Sequence, residues 1–428
     1  MYISIEELYQ IFKNCTGIST DTRKIERGNM FFALKGPNFN ANDYAQDALG
    51  KGASYVVVDE ERVVKDDRYL LTGNVLEMLQ KLANHHRRQF NIPFIAITGS
   101  NGKTTTKELV NAVLSAKYKT YATIGNLNNH IGIPITILSI KEDVEIAIIE
   151  MGANHQKEIA SYCTYTEPTH GMITNIGKAH LEGFGGIEGV KKGKGELYDY
   201  LLQSGGTAFI CSINETLRNM SKFTNPVWYP SKNDFYHCEF IDADPFVKIK
   251  AENGQLIETA IIGAYNFENI AAALCIGKYF DVPPKEANKA IASYVPQNNR
   301  SQVVEKGTNK IILDAYNANP SSMKAALQNF AAMEEKNKFV ILGDMLELGD
   351  ETIKEHKEIG RLIKDLRFAK VVFCGPHMKT AAGEIEDAIH KESRKELEEW
   401  IRNNKPQNAI LLIKGSRGMG LEKILELL

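Results

Sequence analysis

The sequence predicts an α/β fold divided into three domains. The chain of 428 residues fits about three domains of roughly 150 residues each. Buried apolar strands alternate with amphipathic helices, which is typical of a parallel, doubly wound sheet. Polar breaks fall near Asn91–Pro93 and Pro296–Ser301. They divide the chain into a small N-terminal α/β domain (1–92), a central parallel-sheet domain (93–296) and a C-terminal α/β domain (297–428).

Composition excludes several classes of protein. Apolar residues make up 43% and charged residues 24%, an ordinary globular mixture. The 51 basic and 53 acidic residues give a net charge of −2, so electrostatics does not favour a nucleic-acid partner. No apolar run approaches the ~18 residues of a membrane helix, and Met1–Tyr9 carries two glutamates, unlike a signal peptide. Six cysteines without a CxxC pair predict reduced thiols and a cytoplasmic location.

The N-terminal domain shows a helix start followed by short strands. Ser4 and Glu7 form a capping-box pattern, which predicts a helix through Phe12. Strands are predicted at Met30–Leu34 and Ser54–Val58. This part is a small α/β module without a phosphate loop.

The central domain begins with a buried strand, Phe94–Thr98, followed by a glycine turn and a helix from Lys103. Apolar residues on one face of that helix support its assignment. A polar stretch at about 222–260 predicts an antiparallel excursion, and the alanine-rich segment Asn266–Tyr279 predicts a helix. Further strands are predicted at Glu145–Ile149, Met172–Ile173 and Ala208–Cys211.

The C-terminal domain repeats the alternation of strands and amphipathic helices. This pattern predicts a Rossmann-like unit of about 130 residues. Its four apolar strands are predicted at Lys310–Leu313, Phe339–Leu342, Val371–Cys374 and Ala409–Ile413.

The most specific motif is a phosphate loop, Thr98–Thr106 (TGSNGKTTT), which lies between a strand and a helix. Its glycines let backbone N–H groups turn toward phosphate oxygens, and the helix N-terminus adds positive potential. Lys103 can reach the outer phosphates, and the Thr104 hydroxyl can bind Mg²⁺. The loop departs from GxxxxGK[ST], since Ile97 stands at the first glycine position. The alternative is a glycine-rich turn without a ligand, and the lysine and threonines weigh against it.

Three further side chains are candidates for a charged centre. Glu150 follows a parallel strand, where a carboxylate would face the ligand crevice and hold Mg²⁺. A helix cap or a solvated acid is an equally good interpretation. His180 lies in a loop after the next strand, although a lone histidine is more often a packing residue. Lys191, Lys192 and Lys194 form a solvated helix face in the simplest interpretation, which holds for at least two of them.

Taken together and in this order, the motifs resemble the Mur ligase family, the ATP-dependent ligases that form amide bonds in peptidoglycan synthesis. The N-terminal STDTRKIERGNMFFALKG resembles the family's uridine-diphosphate-binding segment. The matching motifs run along nearly the whole chain and are TGSNGKTTTK, IIEMGAN, NIGKAHLEGFG, KGKGELY, AYNFENIAAAL, LDAYNANPSSM, LGDMLELG and IKGSRGM.

The resemblance implies a central ATPase domain, with ATP and Mg²⁺ as cofactors. The last three motifs are most similar to the member that joins D-alanyl-D-alanine to a UDP-N-acetylmuramoyl-tripeptide through an acyl phosphate. The sister enzyme that adds a single amino acid often carries a DNPR segment, and no DNPR occurs here. The partners implied are these small molecules, with no nucleic acid or membrane span, and the family favours a monomer.

The resemblance also implies roles around ATP. Lys103, Glu150, His180 and Lys194 would be catalytic. One Mg²⁺ would be held by Thr104 and Glu150 and a second by His180, with Lys194 matching the lysine that the family carbamylates to an anionic metal partner. Asn266 and Asn269 match the adenine-side pair, and Arg300 and Asp314 would approach the γ-phosphate and ribose. The ATP phosphates would be wrapped by Gly99, Ser100, Asn101, Gly102, Lys103, Thr104 and Thr105.

Roles for the carrier substrate follow in the same way. Asp21, Thr22 and Arg23 would hold the uridine diphosphate, and Asn128 and Asn129 match a segment that lines the muramoyl-peptide channel. One departure concerns the N-terminal domain. Where the family often has Asp-Gly-His, this chain has Asn40-Ala41-Asn42, so contacts of this loop with the nucleotide sugar are not expected to follow the family.

Simpler interpretations and other functions stay open. Asn266 and Asn269 could only cap a helix, and Asn319-Pro320 could only be a helix entry. The KGSRGM segment could only be a turn after a strand. A sister ligase, a phosphate-loop phosphotransferase and a nucleotide-binding switch are the alternative functions.

Overall fold

The computed structural model describes residues 2–297 and 299–428, and three lobes are visible in it, each built on its own sheet. The N-terminal lobe has a parallel sheet with the strand order β1-β2-β5-β6 and a small β3-β4 hairpin. Its helices are α1 (Ile5–Phe12), α2 (Ala45–Gly50) and α3 (Val75–Arg87). Its strands are β1 (Ile18–Ser19), β2 (Met30–Phe32), β3 (Lys35–Gly36), β4 (Phe39–Asn40), β5 (Tyr55–Val58) and β6 (Tyr69–Leu71).

The central lobe has a parallel sheet in the order β12-β11-β10-β7-β9-β8 and a separate antiparallel sheet β13-β14-β15. Its helices are α4 (Lys103–Leu114), α5 (Gly132–Leu138), α6 (Glu158–Thr166), α7 (Leu181–Phe184), α8 (Ile187–Ser204), α9 (Glu215–Met220), α10 (Phe267–Tyr279) and α11 (Pro284–Ser293). Its strands are β7 (Phe94–Thr98), β8 (Thr120–Ala122), β9 (Ile146–Glu150), β10 (His170–Ile173), β11 (Thr207–Cys211), β12 (Val227–Tyr229), β13 (Glu239–Ala243), β14 (Phe246–Lys250) and β15 (Leu256–Ile262).

The C-terminal lobe has the order β16-β17-β21-β18-β19-β20, in which only the β16-β17 pair is antiparallel. Its helices are α12 (Pro320–Ala332), α13 (Thr352–Leu366), α14 (Met378–Ala382) and α15 (Arg394–Asn403). Its strands are β16 (Gln302–Lys306), β17 (Asn309–Asp314), β18 (Lys338–Gly343), β19 (Lys370–Cys374), β20 (Ile389–Lys391) and β21 (Ile410–Lys414).

The predicted mixed α/β architecture with parallel sheets is confirmed, and the predicted elements differ from the observed ones mainly at their ends. The capping box of Ser4 and Glu7 begins α1, which ends at Phe12 as predicted. The strand predicted at Glu145–Ile149 runs from Ile146 to Glu150, so Glu150 is its last residue. The antiparallel excursion predicted near 222–260 corresponds to β13-β14-β15. The exact boundaries of the three domains stay a prediction.

Apolar strand residues form the cores that hold the sheets in place. In the central lobe every residue of β7 and β9 is buried, as expected for parallel strands covered by helices on both faces. The carboxyl ends of β7, β9 and β10 are neighbours in this sheet, so the loops that follow them meet at one edge. Along residues 2–297 and 299–428 no helix is long and apolar enough to cross a membrane.

Candidate active site

The loop between β7 and α4 is fixed to the neighbouring strand end by hydrogen bonds. The backbone N–H of Asn101 donates to Asn175 Oδ1 at 3.0 Å, and the N–H of Ser100 donates to the Asn175 carbonyl at 3.0 Å. The hydroxyl of Thr174 donates to the Asn101 carbonyl at 2.6 Å. These hydrogen bonds fix the backbone of the loop, which reduces the entropy cost of binding a ligand.

Two glycines allow the loop to turn. Gly99 and Gly102 have φ of +143° and +80°, which residues with a Cβ rarely adopt. A Cβ on Gly99 would lie 2.0 Å from Thr174 Oγ1, and one on Gly102 would lie 2.8 Å from Asn269 Oδ1. Glycine is thus required both by the backbone angles and by the neighbouring side chains.

Lys103 begins α4 and folds back over the loop. Its Nζ donates to the carbonyls of Gly99 at 2.7 Å and Ser100 at 3.3 Å. Burial lowers the pKa of Lys103 to about 8; the nearby Glu150 carboxylate opposes this shift and the Arg300 guanidinium adds to it. An anion bound beside Lys103 favours the protonated form of its amine, so the lysine carries a positive charge when it faces a phosphate.

Glu150 is buried at the end of β9, where its side chain is 1% exposed. Its Oε1 accepts hydrogen bonds from Asn128 Nδ2 at 2.7 Å and from the Thr104 hydroxyl at 3.1 Å. Lys107 Nζ lies 3.9 Å from Oε2, which accepts no hydrogen bond among the described residues. This burial excludes a solvated acid, and the interpretation as a helix cap is wrong because both donors are side chains and not helix N–H groups. A carboxylate oxygen without a hydrogen bond beside a threonine hydroxyl fits a hard cation such as Mg²⁺.

Lys194 differs in burial from the two other lysines of this segment on α8. Its side chain is buried, whereas Lys191 is half-buried and Lys192 is exposed. Its Nζ donates to the Ala153 carbonyl at 2.9 Å and lies 4.9 Å from the centre of the Phe184 ring. Burial, with repulsion from Lys103, holds the pKa of Lys194 well below its usual range. The interpretation as a solvated face is thus wrong for this lysine.

His180 stands just before the short helix α7 with a φ of +52°. Its Nδ1 contacts the carboxylate of Glu347 in the C-terminal lobe. The histidine is therefore held at the junction of two lobes and not on a free surface. In the described ranges no group of three or more His, Cys, Asp or Glu side chains is placed to hold a metal ion.

Asn266 and Asn269 are buried at the start of α10 and bond to each other. Asn269 Nδ2 donates to Asn266 Oδ1 at 2.8 Å, and Asn266 Nδ2 donates to the Ile262 carbonyl at 2.8 Å. Thr106 on α4 donates to Asn269 Oδ1 at 3.0 Å. Neither amide caps the helix, so the capping interpretation is wrong, and the pair instead connects α10 to the helix of the phosphate loop.

The C-terminal lobe contributes a second group of charges. The Asp314 carboxylate accepts hydrogen bonds from Lys414 Nζ at 2.5 Å and from the Ser301 N–H at 3.2 Å. The guanidinium of Arg300 lies 3.7 Å from the centre of the Tyr316 ring. Its Nε is buried and has no hydrogen-bond partner among the described residues, so this side chain retains a donor for a ligand.

A cavity of about 580 Å³ lies between the central and C-terminal lobes and gathers most of the predicted residues. Two predicted residues, Gly99 and Lys194, do not line the cavity. Each forms a hydrogen bond with a residue that does, Gly99 with Lys103 and Lys194 with Ala153. The predicted residues that line it are Ser100, Asn101, Gly102, Lys103, Thr104, Thr105, Asn128, Asn129, Glu150, His180, Asn266, Asn269, Arg300 and Asp314.

The two asparagines before α5 have different functions in the structure. Asn128 supports Glu150, as described above. Asn129 Oδ1 accepts from the N–H groups of Ile131 at 3.1 Å and Gly132 at 2.8 Å, so its side chain also fixes the start of the helix. Both residues line the cavity.

The predicted uridine-diphosphate residues lie in the N-terminal lobe and do not line this cavity. Asp21 binds the Arg23 guanidinium through both carboxylate oxygens, at 2.9 Å and 2.8 Å. These hydrogen bonds hold the pKa of Asp21 well below its usual range. Thr22 begins a single 3₁₀ turn between them.

In the Asn40-Ala41-Asn42 segment, both asparagine side chains form hydrogen bonds within the N-terminal lobe. Asn42 Nδ2 donates to Asp59 at 2.8 Å, and Asn40 Nδ2 donates to Glu60 at 2.9 Å. The departure from Asp-Gly-His is thus accommodated by two carboxylates of the same lobe.

Several cavity residues were not predicted from the sequence. Lys414 ends β21 and is 2% exposed. Asn319 caps α12 and also donates to Asn101 Oδ1 in the phosphate loop at 2.7 Å. Lys414 could have been predicted, because it ends a parallel strand and ligands bind at the carboxyl ends of such strands. The helix entry predicted at Asn319-Pro320 is confirmed, but its contact with Asn101 had no signal, because the two residues lie more than two hundred positions apart in the chain.

This fold and this cavity define a three-lobed α/β protein with a phosphate loop facing a charged C-terminal lobe. Residues 97–277 match the Mur ligase middle domain, and residues 299–417 match the domain described as Mur ligase, glutamate ligase domain. The chain belongs to the Mur ligase family, the ATP-dependent ligases that form amide bonds in peptidoglycan synthesis.

Similar proteins cover nearly the whole chain. The UDP-N-acetylmuramoyl-tripeptide–D-alanyl-D-alanine ligase of Bacillus subtilis (strain 168) is 33% identical over 96% of this chain and 92% of its own length. The ligase of the same name from Escherichia coli (strain K12) is 32% identical over 96% and 93%. A crystal structure of MurF from Acinetobacter baumannii superposes with a TM-score of 0.88 at 28% identity, covering 99% of this chain and 98% of that one.

Proposed function

We propose that this protein joins D-alanyl-D-alanine to a UDP-N-acetylmuramoyl-tripeptide while ATP is converted to ADP and phosphate. The observation that carries the proposal is the cavity between two lobes, in which Lys103 and Arg300 face Glu150 beside the phosphate loop. The similar proteins named above, which bear this activity in their names, support the same substrates.

The chemistry requires an activated carboxylate. A carboxylate does not accept an amine at neutral pH, because it lacks a leaving group. In the proposed reaction a carboxylate oxygen of the tripeptide bonds to the γ-phosphorus of ATP, and ADP leaves. The amine of D-alanyl-D-alanine then bonds to the acyl carbon, loses a proton, and phosphate leaves with that carboxylate oxygen.

The chain's own residues would act on the phosphoryl group by position and charge. Backbone N–H groups of the loop and the start of α4 would surround the β- and γ-phosphates. Lys103 would leave the Gly99 carbonyl, at 2.7 Å, to reach the outer phosphates. Arg300, with its buried Nε, would approach them from the C-terminal lobe. Fixed charges of this kind stabilise the transferring group without a covalent enzyme intermediate.

The metal ion assigned by this proposal is Mg²⁺, and Thr104 and Glu150 are the residues that would hold it. The fit rests on the Glu150 Oε2 atom, which is buried without a hydrogen bond. When bound, Mg²⁺ supplies positive charge that neutralises the phosphate oxygens. Asn128 would keep the carboxylate oriented through its 2.7 Å hydrogen bond.

Lys194 is proposed to be carbamylated, and His180 is proposed to be a ligand of a second ion. A lowered pKa leaves more of the lysine as the free amine, whose nitrogen can bond to the carbon of CO₂ and release a proton. The carbamate is an anion where the unmodified lysine would repel a metal. A ¹³C resonance of a carbamate in protein equilibrated with ¹³CO₂, lost in Lys194→Ala, tests this step.

The remaining residues are proposed to bind the adenosine part of ATP and the UDP-muramoyl peptide. An asparagine amide has two N–H donors, so Asn266 and Asn269 each have a second one for the adenine ring beyond their internal bonds. Asp314 would bind the ribose. Asp21, Thr22 and Arg23 would hold the uridine diphosphate, and Asn128 and Asn129 would line the channel of the muramoyl peptide.

The experiment is a substrate matrix with ATP and Mg²⁺. Tripeptide nucleotides ending in lysine or in diaminopimelate are each incubated with D-alanyl-D-alanine or with single amino acids. A pentapeptide product formed in step with ADP and phosphate supports the proposal. Product with a single amino acid would indicate the sister ligase, a stable phosphorylated product without an amine would indicate a phosphotransferase, and binding without turnover would indicate a switch.

A further inference from the structure

A second contact between the lobes lies outside the phosphate loop. Lys178, in the segment between β10 and α7, extends to the C-terminal lobe and places its Nζ 2.5 Å from Glu355 Oε1. Glu355 lies in the first turn of α13 and its side chain is 2% exposed, whereas that of Lys178 is 42% exposed. Glu358, one turn along α13, lies 3.9 Å from the same Nζ.

Other contacts surround this ion pair. The Lys178 N–H donates to the hydroxyl of Ser321 at 3.0 Å, and His180 contacts Glu347. The backbones approach closely here, since a Cβ on Gly349, whose φ is +55°, would lie 3.3 Å from the Cβ of Glu182. The segment that carries His180 is thus fixed to the C-terminal lobe on both sides of the histidine.

We infer that Lys178 and Glu355 are positioning residues, which hold the His180 segment against the C-terminal lobe when the cavity is assembled. The inference rests on the proposed function only for its effect on turnover. Its structural part concerns how the two lobes are held together and applies to the protein without substrates.

The physical reason is the cost of burying a carboxylate. Glu355 is 2% exposed where the lobes meet, and an ionised carboxylate buried in that position requires a cation. Lys178 provides this cation from the opposite lobe, and the N-terminus of α13 adds favourable potential. Separation of the lobes would break the pair, because its two members belong to different lobes. Lys178 therefore offsets the cost of burying Glu355 in the assembled arrangement, in which Lys103 and Arg300 share one cavity.

Because Glu355 is buried and Lys178 is not, the single variant and the double variant should differ in how often the lobes are assembled. In Lys178→Met the buried carboxylate has no partner across the lobes, so the assembled arrangement is disfavoured. In Lys178→Met/Glu355→Gln the charge is gone as well, so the assembled arrangement recovers. Simple loss of a favourable contact would make the double variant as impaired as the single one or more so.

The measurement is the distance between the lobes in the free protein. Spin labels at the exposed Asn219 and Glu399, with Cys15 replaced, report this distance by pulsed dipolar spectroscopy. Lys178→Met should lower the ratio of the short to the long distance by about tenfold, because the pair is buried on one side only. The double variant should restore most of that ratio. Lys354→Met, which loses a charge of the same helix paired within its own lobe to Glu351, is the matched control.

Turnover provides the second measurement. If the ligase activity is present, Lys178→Met should lower kcat more than it changes KM for ATP, and the double variant should recover. An unchanged distance distribution in Lys178→Met, or a double variant more open than the single one, would overturn the inference. Absence of ligase activity in the wild type would contradict the proposed function and leave the distance measurement to decide the role of the pair.

Discussion

At the scale of single residues, Lys103 is the side chain on which the proposed chemistry depends most. It lies at the start of α4, and its Nζ is held by two carbonyls of its own loop. A ligand phosphate would replace these carbonyls as its partner. The same residue also carries a pKa that its surroundings have shifted, so its role can be tested both by substitution and by pH.

Lys103→Ala should lower kcat by about 10²-fold or more, because charge on the transferring phosphoryl group loses a cation in a site shielded from water. The change is measured as single-turnover formation of ADP with saturating substrates. Lys81→Ala removes an exposed lysine of the N-terminal lobe and serves as the control. Wild-type turnover in Lys103→Ala would show that this lysine is not catalytic.

The pH dependence follows from the lowered pKa of Lys103, about 8. Above this value the lysine of the free enzyme loses its proton and its positive charge, so kcat/KM for ATP should fall as the pH rises through about 8. Lys103→Arg keeps its charge throughout this range and should lose that inflection, whatever its overall rate. An inflection near pH 8 that persists in Lys103→Arg would assign it to another group.

Residues at strand ends could be anticipated from local sequence, whereas the contacts that join one lobe to another could not. The position of Glu150 after a buried strand indicated the crevice, and the structure places it in the cavity wall. The burial of Lys194 was not visible in a lysine-rich segment, since only the family resemblance separated it from Lys191 and Lys192. Lys178 and Asn319 have partners far away in the chain, so no local pattern indicated their contacts with the opposite lobe.

At the scale of elements, the phosphate loop is held by the end of β10 as much as by its own glycines. Thr174 and Asn175 bind the loop backbone at Asn101. Local sequence predicted the strand, the turn and the helix. It did not predict that β10 lies beside β7, because strand order in a parallel sheet depends on the crossover connections.

Gly99→Ala should weaken nucleotide binding by about tenfold or more while the protein stays folded. The new Cβ would lie 2.0 Å from Thr174 Oγ1 and would displace either the loop or that hydroxyl. Binding is measured by calorimetry with a nonhydrolysable ATP analogue. Gly205→Ala is the control, since Gly205 also has a positive φ, +71°, but open space around its Cβ position. Equal affinities of the two variants would contradict this account of the loop.

Elements without a strong pattern were the ones that sequence analysis missed. The antiparallel edge strand β16 has partly exposed residues and follows directly on the polar break. The short strand β20 is three residues long. Neither has the continuous apolar run of the buried strands such as β18, from which the C-terminal sheet was predicted.

At the scale of the whole molecule, the groups proposed for one reaction are divided among three lobes. Lys103 and Glu150 belong to the central lobe, and Arg300 and Asp314 lie at the start of the C-terminal lobe. The predicted uridine-diphosphate residues belong to the N-terminal lobe. Sequence predicted each lobe, but the arrangement of the lobes arises from contacts over long sequence distances, for which a single sequence gives no local signal.

Closure of the lobes should accompany binding of the substrates, with hinges near 91–93 and 296–301, a range in which residue 298 lies outside the described residues. Small-angle scattering should give a smaller radius of gyration with an ATP analogue and the tripeptide nucleotide together than without ligands. Each ligand alone should give a smaller change. Identical scattering curves in all four conditions would contradict closure on binding.

The most direct test of the account is the fate of the carboxylate oxygen. The tripeptide nucleotide is labelled with ¹⁸O in its terminal carboxylate, the ligation is run with unlabelled ATP, and the released phosphate is analysed by mass spectrometry. If ATP in the cavity energises the carboxylate, one ¹⁸O should appear in each phosphate formed with product. Pentapeptide formed together with unlabelled phosphate would contradict the account.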